Sequence, residues 1–249
     1  MDLHLRERRA LIMGAAGGIG SAVAEAFTAE GVHLALVDRS APNGLASSLS
    51  DGGHRAVALA ADATDESQVE RAVADAAEAL GGLDLVIGCA GISGPFGTDL
   101  VDTTLDDWRR VFDVNVTGAF LLLKHALPVL RAGTDPAAVF VASDSALVAA
   151  GGMAAYCASK AALVQLMRAA SVEEDAVRIT AVCPSIVDTP MSRGDLGLDG
   201  GFGDVDYPVQ SARDVAAEIA FLASPVARAV DATTLVSDFG YTARSSFPA

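Results

Sequence analysis

The sequence has few cysteines and few positively charged residues. Its only cysteines, Cys89, Cys157 and Cys183, are too few and too dispersed for a disulfide framework or a zinc site, so no metal is expected. Seventeen Lys and Arg against 32 Asp and Glu give a net charge of −15, and no basic run is longer than two residues. Because such a chain repels polyanions, we expect neither nucleic acid nor a membrane surface as a partner.

Long apolar runs are also absent. No stretch reaches the roughly 18 apolar residues that a membrane-spanning helix needs, and the first residues are charged, unlike a secretory leader. With the dispersed cysteines, this favours a protein of the reducing cytoplasm. No linker or internal repeat divides the chain, so a single domain over residues 1–249 is predicted.

Short apolar runs alternate with longer helical patterns. Runs of this kind are typical of strands buried on both faces of a parallel sheet. They lie at 10–13, 32–37, 56–60, 83–87, 137–142, 177–183 and 233–236, and the helical patterns at 19–30, 66–80, 104–130, 153–174 and 212–223. The alternation predicts an α/β fold: a doubly wound, Rossmann-like sheet of about seven strands with helices on both faces. Residues 192–208, rich in Gly and Asp and without periodicity, are predicted to form a mobile substrate loop.

A glycine cluster follows the first predicted strand and opens the first predicted helix. Such a turn lets backbone N–H groups approach a pyrophosphate, so we expect a dinucleotide there. The cluster comprises Gly14, Gly17, Gly18, Ile19 and Gly20. Asp38, at the end of the next strand, would accept the ribose hydroxyls and repel a 2′-phosphate, which favours NAD over NADP. Arg39 beside it keeps NADP open, because a guanidinium can receive a phosphate.

Tyr156 and Lys160 lie four residues apart in a strong helical pattern and therefore project from one face. A free phenol, with a pKa near 10, is a poor base at neutral pH. A neighbouring ammonium, together with the positive nicotinamide of the oxidised cofactor, would lower that pKa in a water-poor cleft, by about three units if they supplied roughly 4 kcal/mol. Tyr156 is thus predicted to exchange a proton with an alcohol as hydride passes to or from a nicotinamide.

From about residue 8 to residue 243, the chain resembles the short-chain dehydrogenase/reductase family of the single-domain type. The family's glycine motif is matched by Gly14, Gly18, Ile19 and Gly20, and its Tyr-x-x-x-Lys pair by Tyr156 and Lys160. Its catalytic serine, thirteen residues before the tyrosine, falls on Ser143, and its helix asparagine on Asn115. Ser145 is a rival for the serine, although its spacing is two residues short.

The resemblance implies a catalytic tetrad. Ser143 would hydrogen-bond the substrate oxygen, Tyr156 would act as acid and base, and Lys160 would lower the pKa of Tyr156 and bind the nicotinamide ribose. Asn115 would hold a water linking Lys160 to solvent. Further cofactor contacts are implied at Asp62, Ala63, Cys89, Ala90, Gly91, Pro184, Val187 and Thr189. The family also implies a homo-oligomer, a tetramer or a dimer, with residues 238–241 at a subunit contact.

The sequence departs from the family pattern at several positions outside the tetrad. Met13 replaces a threonine, Gly88 and Cys89 replace two asparagines, Thr180 replaces an asparagine and Ser185 replaces a glycine. Each missing amide removes a hydrogen bond worth about 1 kcal/mol, so stability or cofactor affinity is expected to change while the proton-transfer groups remain.

The main hypothesis is an NAD(H)-dependent oxidoreductase that interconverts a small secondary alcohol and its ketone. Substrate contacts are expected from 93–100, 146–153 and 192–208, with Phe202 and Tyr207 closing over an apolar substrate. One alternative is an NADPH-dependent 3-ketoacyl-carrier-protein reductase, for which Arg109, Arg110 and Arg131 would form a docking patch. Another is a non-catalytic NAD(P)-binding regulator. The Tyr–Lys spacing disfavours an enoyl reductase, since these put more residues between the pair.

Overall fold

The computed structural model describes residues 2–50, 53–198 and 200–244. Its strands are β1 (Arg9–Met13), β2 (His33–Asp38), β3 (Ala56–Ala60), β4 (Leu85–Gly88), β5 (Ala137–Val141), β6 (Arg178–Pro184), β7 (Val187–Asp188), β8 (Gln210–Ser211) and β9 (Thr234–Ser237). Seven of them form a parallel sheet in the order β3-β2-β1-β4-β5-β6-β9, and β7 pairs with β8. The predicted Rossmann-like sheet is confirmed, and its order reverses beside β1, where such folds bind ligands.

Helices connect the strands. They are α1 (Gly18–Ala29), α2 (Asn43–Leu49), α3 (Glu66–Leu80), α4 (Leu105–Phe112), α5 (Gly118–Leu130), α6 (Ala154–Glu173), α7 (Pro190–Leu196) and α8 (Ala212–Ala223). Within the described ranges, no helix combines the length and the apolar character needed to cross a bilayer.

Each central strand contributes to two separate hydrophobic layers, as the apolar runs predicted. In β1, Ala10 and Ile12 pack into the layer formed with α1 and α8, whereas Leu11 and Met13 pack into the layer formed with α3, α5 and α6. All four side chains are buried. Because successive side chains of a strand point to opposite faces, a strand covered on both sides has no polar alternation.

The helical pattern predicted over residues 104–130 is divided in the structure. α4 ends at Phe112, a π-helical turn occupies Asp113–Thr117, and α5 follows directly. The wider π turn re-aims one residue relative to a regular helix, and such turns are frequent at functional sites. Here it turns Asn115 into the interior. Pro128, predicted to bend or end this pattern, lies inside α5, which ends two residues later.

Two short helices were not predicted. α2 has only seven residues and buries only Ala46. α7 begins at a capping box formed by Thr189 and Ser192 and has Pro190 in its first turn. It takes in the first five residues of the predicted substrate loop, and the described residues of 197–209 contain neither helix nor strand. The mobility of 192–208 stays a prediction.

Gly88 is predicted to be required for packing at the end of β4. A methyl group there would overlap the ring of Phe140, which is fully buried. Gly88→Ala should therefore lower the free energy of unfolding by about 1–3 kcal/mol in urea titrations, as overpacking does. Gly44→Ala is the matched control, because a methyl group at Gly44 meets nothing within 4 Å. It should leave stability unchanged or raise it by up to about 1 kcal/mol, and equal stability of the two variants would contradict the prediction.

Candidate active site

The turn between β1 and α1 provides the geometry that a pyrophosphate requires. Gly14 has φ +84°, and a side chain there would collide with the backbone of Ala90. A side chain on Gly20 would collide with the carbonyl oxygen of Gly14. Gly17 precedes α1, and no side chain caps the first turn of this helix. Its first N–H groups are therefore left for an anion, and the positive end of the helix dipole reinforces that site.

A cavity of about 780 Å³ extends from this turn along the ends of β1, β2 and β4. Asp38 lies at its edge, where one carboxylate oxygen accepts the N–H of Ala16 at 3.0 Å and the other accepts the N–H of Arg39 at 2.8 Å. Asp62 accepts the backbone N–H and the hydroxyl of Thr64, and these hydrogen bonds hold the pKa of its carboxyl below the usual range. A polar rim over a glycine-rich floor fits an adenine dinucleotide.

The structure brings the predicted cofactor residues together along two adjoining cavities. The first is lined by Gly14, Gly17, Gly18, Ile19, Gly20, Asp38, Arg39, Asp62, Ala63, Cys89, Ala90, Gly91 and Thr189. The second, of about 530 Å³, is lined by Tyr156, Lys160, Pro184 and Val187 as well as by Ser143. The two share a wall that includes Ile19, Gly91, Thr189 and Met191. Arg109 and Arg110 of α4 also line the first cavity. The sequence suggested them only for a carrier docking patch, because nothing local connects α4 with the glycine turn.

Lys160 is held by the end of the neighbouring strand. Its ammonium donates a hydrogen bond of 2.9 Å to the carbonyl oxygen of Val141 and lies 5.6 Å from the centre of the Tyr156 ring. Lys160 is 4% exposed, and this burial lowers the pKa of its ammonium to about 8. A methyl group on Gly91 would lie 3.3 Å from both the Lys160 Nζ and the Asn115 Oδ1. The side chains of Lys160 and Asn115 therefore meet beside Gly91, three residues after the end of β4.

Asn115 is buried, and its side-chain amide links α6 to the chain after β4 through hydrogen bonds. Its Oδ1 accepts the N–H of Ile92 at 2.8 Å, and its Nδ2 donates to the carbonyl of Ile92 and to the hydroxyl of Ser159, both at 2.9 Å. The π turn at Asp113–Thr117 contains this residue. Both ends of the amide are thus engaged, and Asn115 fixes the backbone that passes Lys160.

Burial dominates the electrostatics of Tyr156 and raises the pKa of its phenol to about 12. Ser143 opposes the rise by hydrogen bonding, whereas the negative charges of Asp144 and Asp195 add to it. Among the chain's own groups the net direction is therefore upward, and Lys160 is not among the principal causes. The expected lowering also includes the positive nicotinamide of the oxidised cofactor and stays a prediction. A phenol in this state is suited to donate a proton, and accepting one requires higher pH or added positive charge.

Ser143 lies two residues beyond the end of β5 and is 7% exposed beside Tyr156. Its hydroxyl donates to the carboxylate of Asp144 at 3.0 Å and accepts the N–H of Ser145 at 3.1 Å. Ser145 therefore acts through its backbone on Ser143, which is the serine that the thirteen-residue spacing indicated.

The second cavity receives residues from all three segments predicted to contact the substrate. Phe96, Met153, Leu196 and Tyr207 give it a mainly apolar lining, while Phe202, also predicted, is not part of it. Asp238 and Tyr241, which the resemblance places at a subunit contact, also line this cavity, and the subunit contact stays a prediction.

Comparisons with known proteins find dehydrogenases and reductases that match nearly the whole chain. A family model described as "Enoyl-(Acyl carrier protein) reductase" matches residues 14–242. The chain is 37% identical over 245 residues to meso-2,3-butanediol dehydrogenase of Serratia marcescens, covering 96% of each protein. A short-chain dehydrogenase from Burkholderia cenocepacia J2315 in complex with NADP matches with a TM-score of 0.85 and 31% identity, over 96% of this chain and 99% of that one. A 3-ketoacyl-(acyl-carrier-protein) reductase from Brucella melitensis complexed with NADH matches with a TM-score of 0.86 and 27% identity, over the same shares.

Replacing Asp144 by Asn is predicted to change the pH dependence of alcohol oxidation. The Asp144 carboxylate raises the pKa of Tyr156. The expected role of Tyr156 as base in oxidation requires the deprotonated phenol, so we expect the rate to increase as pH rises toward that pKa. Removing the negative charge should shift the rising limb of kcat/KM to lower pH. The control is Asp175→Asn, an exposed carboxylate beyond the end of α6. Identical pH profiles for Asp144→Asn and the unmodified protein would refute this account.

Proposed function

Because the chain belongs to the short-chain dehydrogenase/reductase family, whose enzymes are NAD(P)-dependent oxidoreductases, we propose that it interconverts a small secondary alcohol and its ketone with NAD(H). The observation that carries the proposal is the meeting of Ser143, Tyr156 and Lys160 at the cavity that adjoins the glycine turn. The butanediol dehydrogenase relative is named for a reaction of this class.

Tyr156 performs the proton transfer. When bound, the nicotinamide cofactor supplies the hydride acceptor or donor. In reduction, the phenol of Tyr156 donates its proton to the ketone oxygen, and its raised pKa suits that role. In oxidation, the phenolate of Tyr156 accepts the carbinol proton. Lys160, together with the positive charge of the oxidised nicotinamide, would stabilise that phenolate. Ser143 holds the substrate oxygen, and Asn115 positions the chain beside Lys160; the water expected at Asn115 remains part of the proposal.

NAD is the proposed cofactor because Asp38 puts a carboxylate at the edge of the first cavity. A 2′-phosphate would meet that negative charge. Arg39, Arg109 and Arg110 also line this cavity, and they would give NADP a weaker but real affinity.

A second candidate is a 3-ketoacyl-carrier-protein reductase. The Brucella melitensis neighbour carries that name. A net charge of −15 and the carboxylates of Asp144 and Asp195 in the second cavity count against an acidic carrier and its phosphate-bearing arm.

We also propose the domain structure, the role of one loop and the oligomeric state of the chain. Residues 1–249 form one domain, residues 192–208 act as a mobile substrate loop, and copies associate as a tetramer or dimer; Met1, 51–52, Asp199 and 245–249 lie outside the described residues. Apolar side chains on the outer faces of α4, α5 and α6 support association: Leu105, Phe120 and Val172 are 60%, 47% and 80% exposed.

Tyr156→Phe tests the mechanism. The substitution removes only the phenolic oxygen, so kcat for oxidation of a secondary alcohol with NAD should fall by about 10²–10⁴-fold, the usual contribution of general acid–base catalysis. Titration of NADH fluorescence should show cofactor affinity unchanged, which separates loss of chemistry from loss of binding. Turnover retained in this variant would exclude Tyr156 as the acid and base.

Asp38→Ala tests cofactor choice. Removing the carboxylate that faces the ribose should raise the ratio of kcat/KM with NADP to that with NAD by about tenfold or more, because like-charge repulsion is relieved and Arg39 remains. Asp75→Asn, an exposed carboxylate on α3, controls for the change in net charge. An unmodified enzyme that prefers NADP would overturn the assignment of NAD.

A further inference from the structure

Three carboxylates line the substrate cavity, and the oxygens of one of them, Asp238, already accept the backbone N–H groups of Gly240 and Thr242. The other two come from different parts of the fold. Asp144 follows Ser143 in a short 3₁₀ turn after β5, and Asp195 lies in α7. Both line the same cavity as Tyr156, and both act on it as negative charges. Both negative charges therefore raise the pKa of Tyr156, the residue proposed to exchange the proton.

Neither carboxylate has a cationic partner among residues 2–50, 53–198 and 200–244. Asp144 accepts the hydroxyl of Ser143 at 3.0 Å, and Asp195 accepts the hydroxyl of Ser93 at 2.8 Å. Arg193, two residues before Asp195, is bound instead to Asp188 through contacts of 2.6 and 3.0 Å. Burial raises the pKa of the Asp195 carboxyl above its usual value, as expected for a carboxylate without an opposite charge.

The rest of the lining offers little compensation. Lys160 is the one basic residue among the described residues that line the cavity. Its ammonium donates a hydrogen bond to the Val141 carbonyl, and burial destabilises its charge. Phe96, Met153 and Leu196 contribute apolar surface to the same cavity, and both carboxylates are only partly exposed. Negative charge in such surroundings is costly unless an opposite charge pairs with it. A cationic ligand would provide that pairing, whereas an anionic ligand would add to the repulsion.

We propose that the substrate is a cationic amino alcohol, or the matching amino ketone, whose ammonium group is bound by Asp144 and Asp195 while its carbinol faces Ser143 and Tyr156. This inference rests on the proposed function and narrows it to one substrate class. Neutral diols, which can also donate hydrogen bonds to carboxylates, are poorer substrates, and hydroxy acids are the poorest.

Three probes that share one carbinol and one phenyl ring test the inference: 2-amino-1-phenylethanol, 1-phenyl-1,2-ethanediol and mandelate. At neutral pH they differ in carrying an ammonium, a hydroxyl or a carboxylate. With NAD and the full chain, kcat/KM should follow that order, with about tenfold or more between the amine and the diol, as charge-assisted hydrogen bonds give. In Asp144→Asn/Asp195→Asn the ratio of amine to diol should fall by about tenfold. Asp175→Asn, an exposed carboxylate beyond the end of α6 and outside the cavity lining, is the control that should keep the ratio.

Calorimetric binding of the amine and of mandelate to the NAD-loaded protein provides a readout that does not need turnover. Preferential binding of the amine, lost in the double variant, supports the inference even if no alcohol is oxidised, an outcome that would defeat only the proposed function. Equal affinities, or a preference for mandelate, overturn the inference. Oxidation of all three probes with equal kcat/KM also overturns it and leaves the proposed function standing.

Discussion

The ammonium of Lys160 is the constraint around which the site is arranged. It is buried between the end of β5, whose Val141 carbonyl accepts its hydrogen bond, and the chain after β4, where Gly91 leaves room for it. An ion in that position is tolerated only because the backbone around it is fixed. Asn115 supplies this rigidity through both ends of its amide, and the π turn is the local departure from helical geometry that lets it do so.

Much of the fold could be predicted because burial on two faces leaves a strong pattern. Seven apolar runs became the seven strands of the sheet, and 66–80 and 212–223 match α3 and α8 residue for residue. The π turn could not be predicted, since a helical pattern continues through it. α7 was missed because its stability comes from a capping box rather than from an apolar stripe.

The candidate site, like the fold, could be predicted only in part from the sequence. Spacing paired Tyr156 with Lys160, because residues four apart on a helix are neighbours, whereas the choice of Ser143 over Ser145 came from the family resemblance. The pKa of Tyr156 depends on how deeply the phenol is buried and on carboxylates from α7 and from the turn after β5. These are long-range properties that no local motif carries. The rim position of Arg109 and Arg110 was invisible for the same reason.

The wall that the two cavities share has a kinetic consequence. Ile19, Gly91, Thr189 and Met191 face both spaces, and α7 begins directly after Thr189, which packs against Gly18 of the glycine turn. A dinucleotide would thus complete one side of the chamber in which the smaller molecule reacts. From this arrangement we expect the nucleotide to bind first and the carbonyl compound or carbinol second, with release in the reverse order.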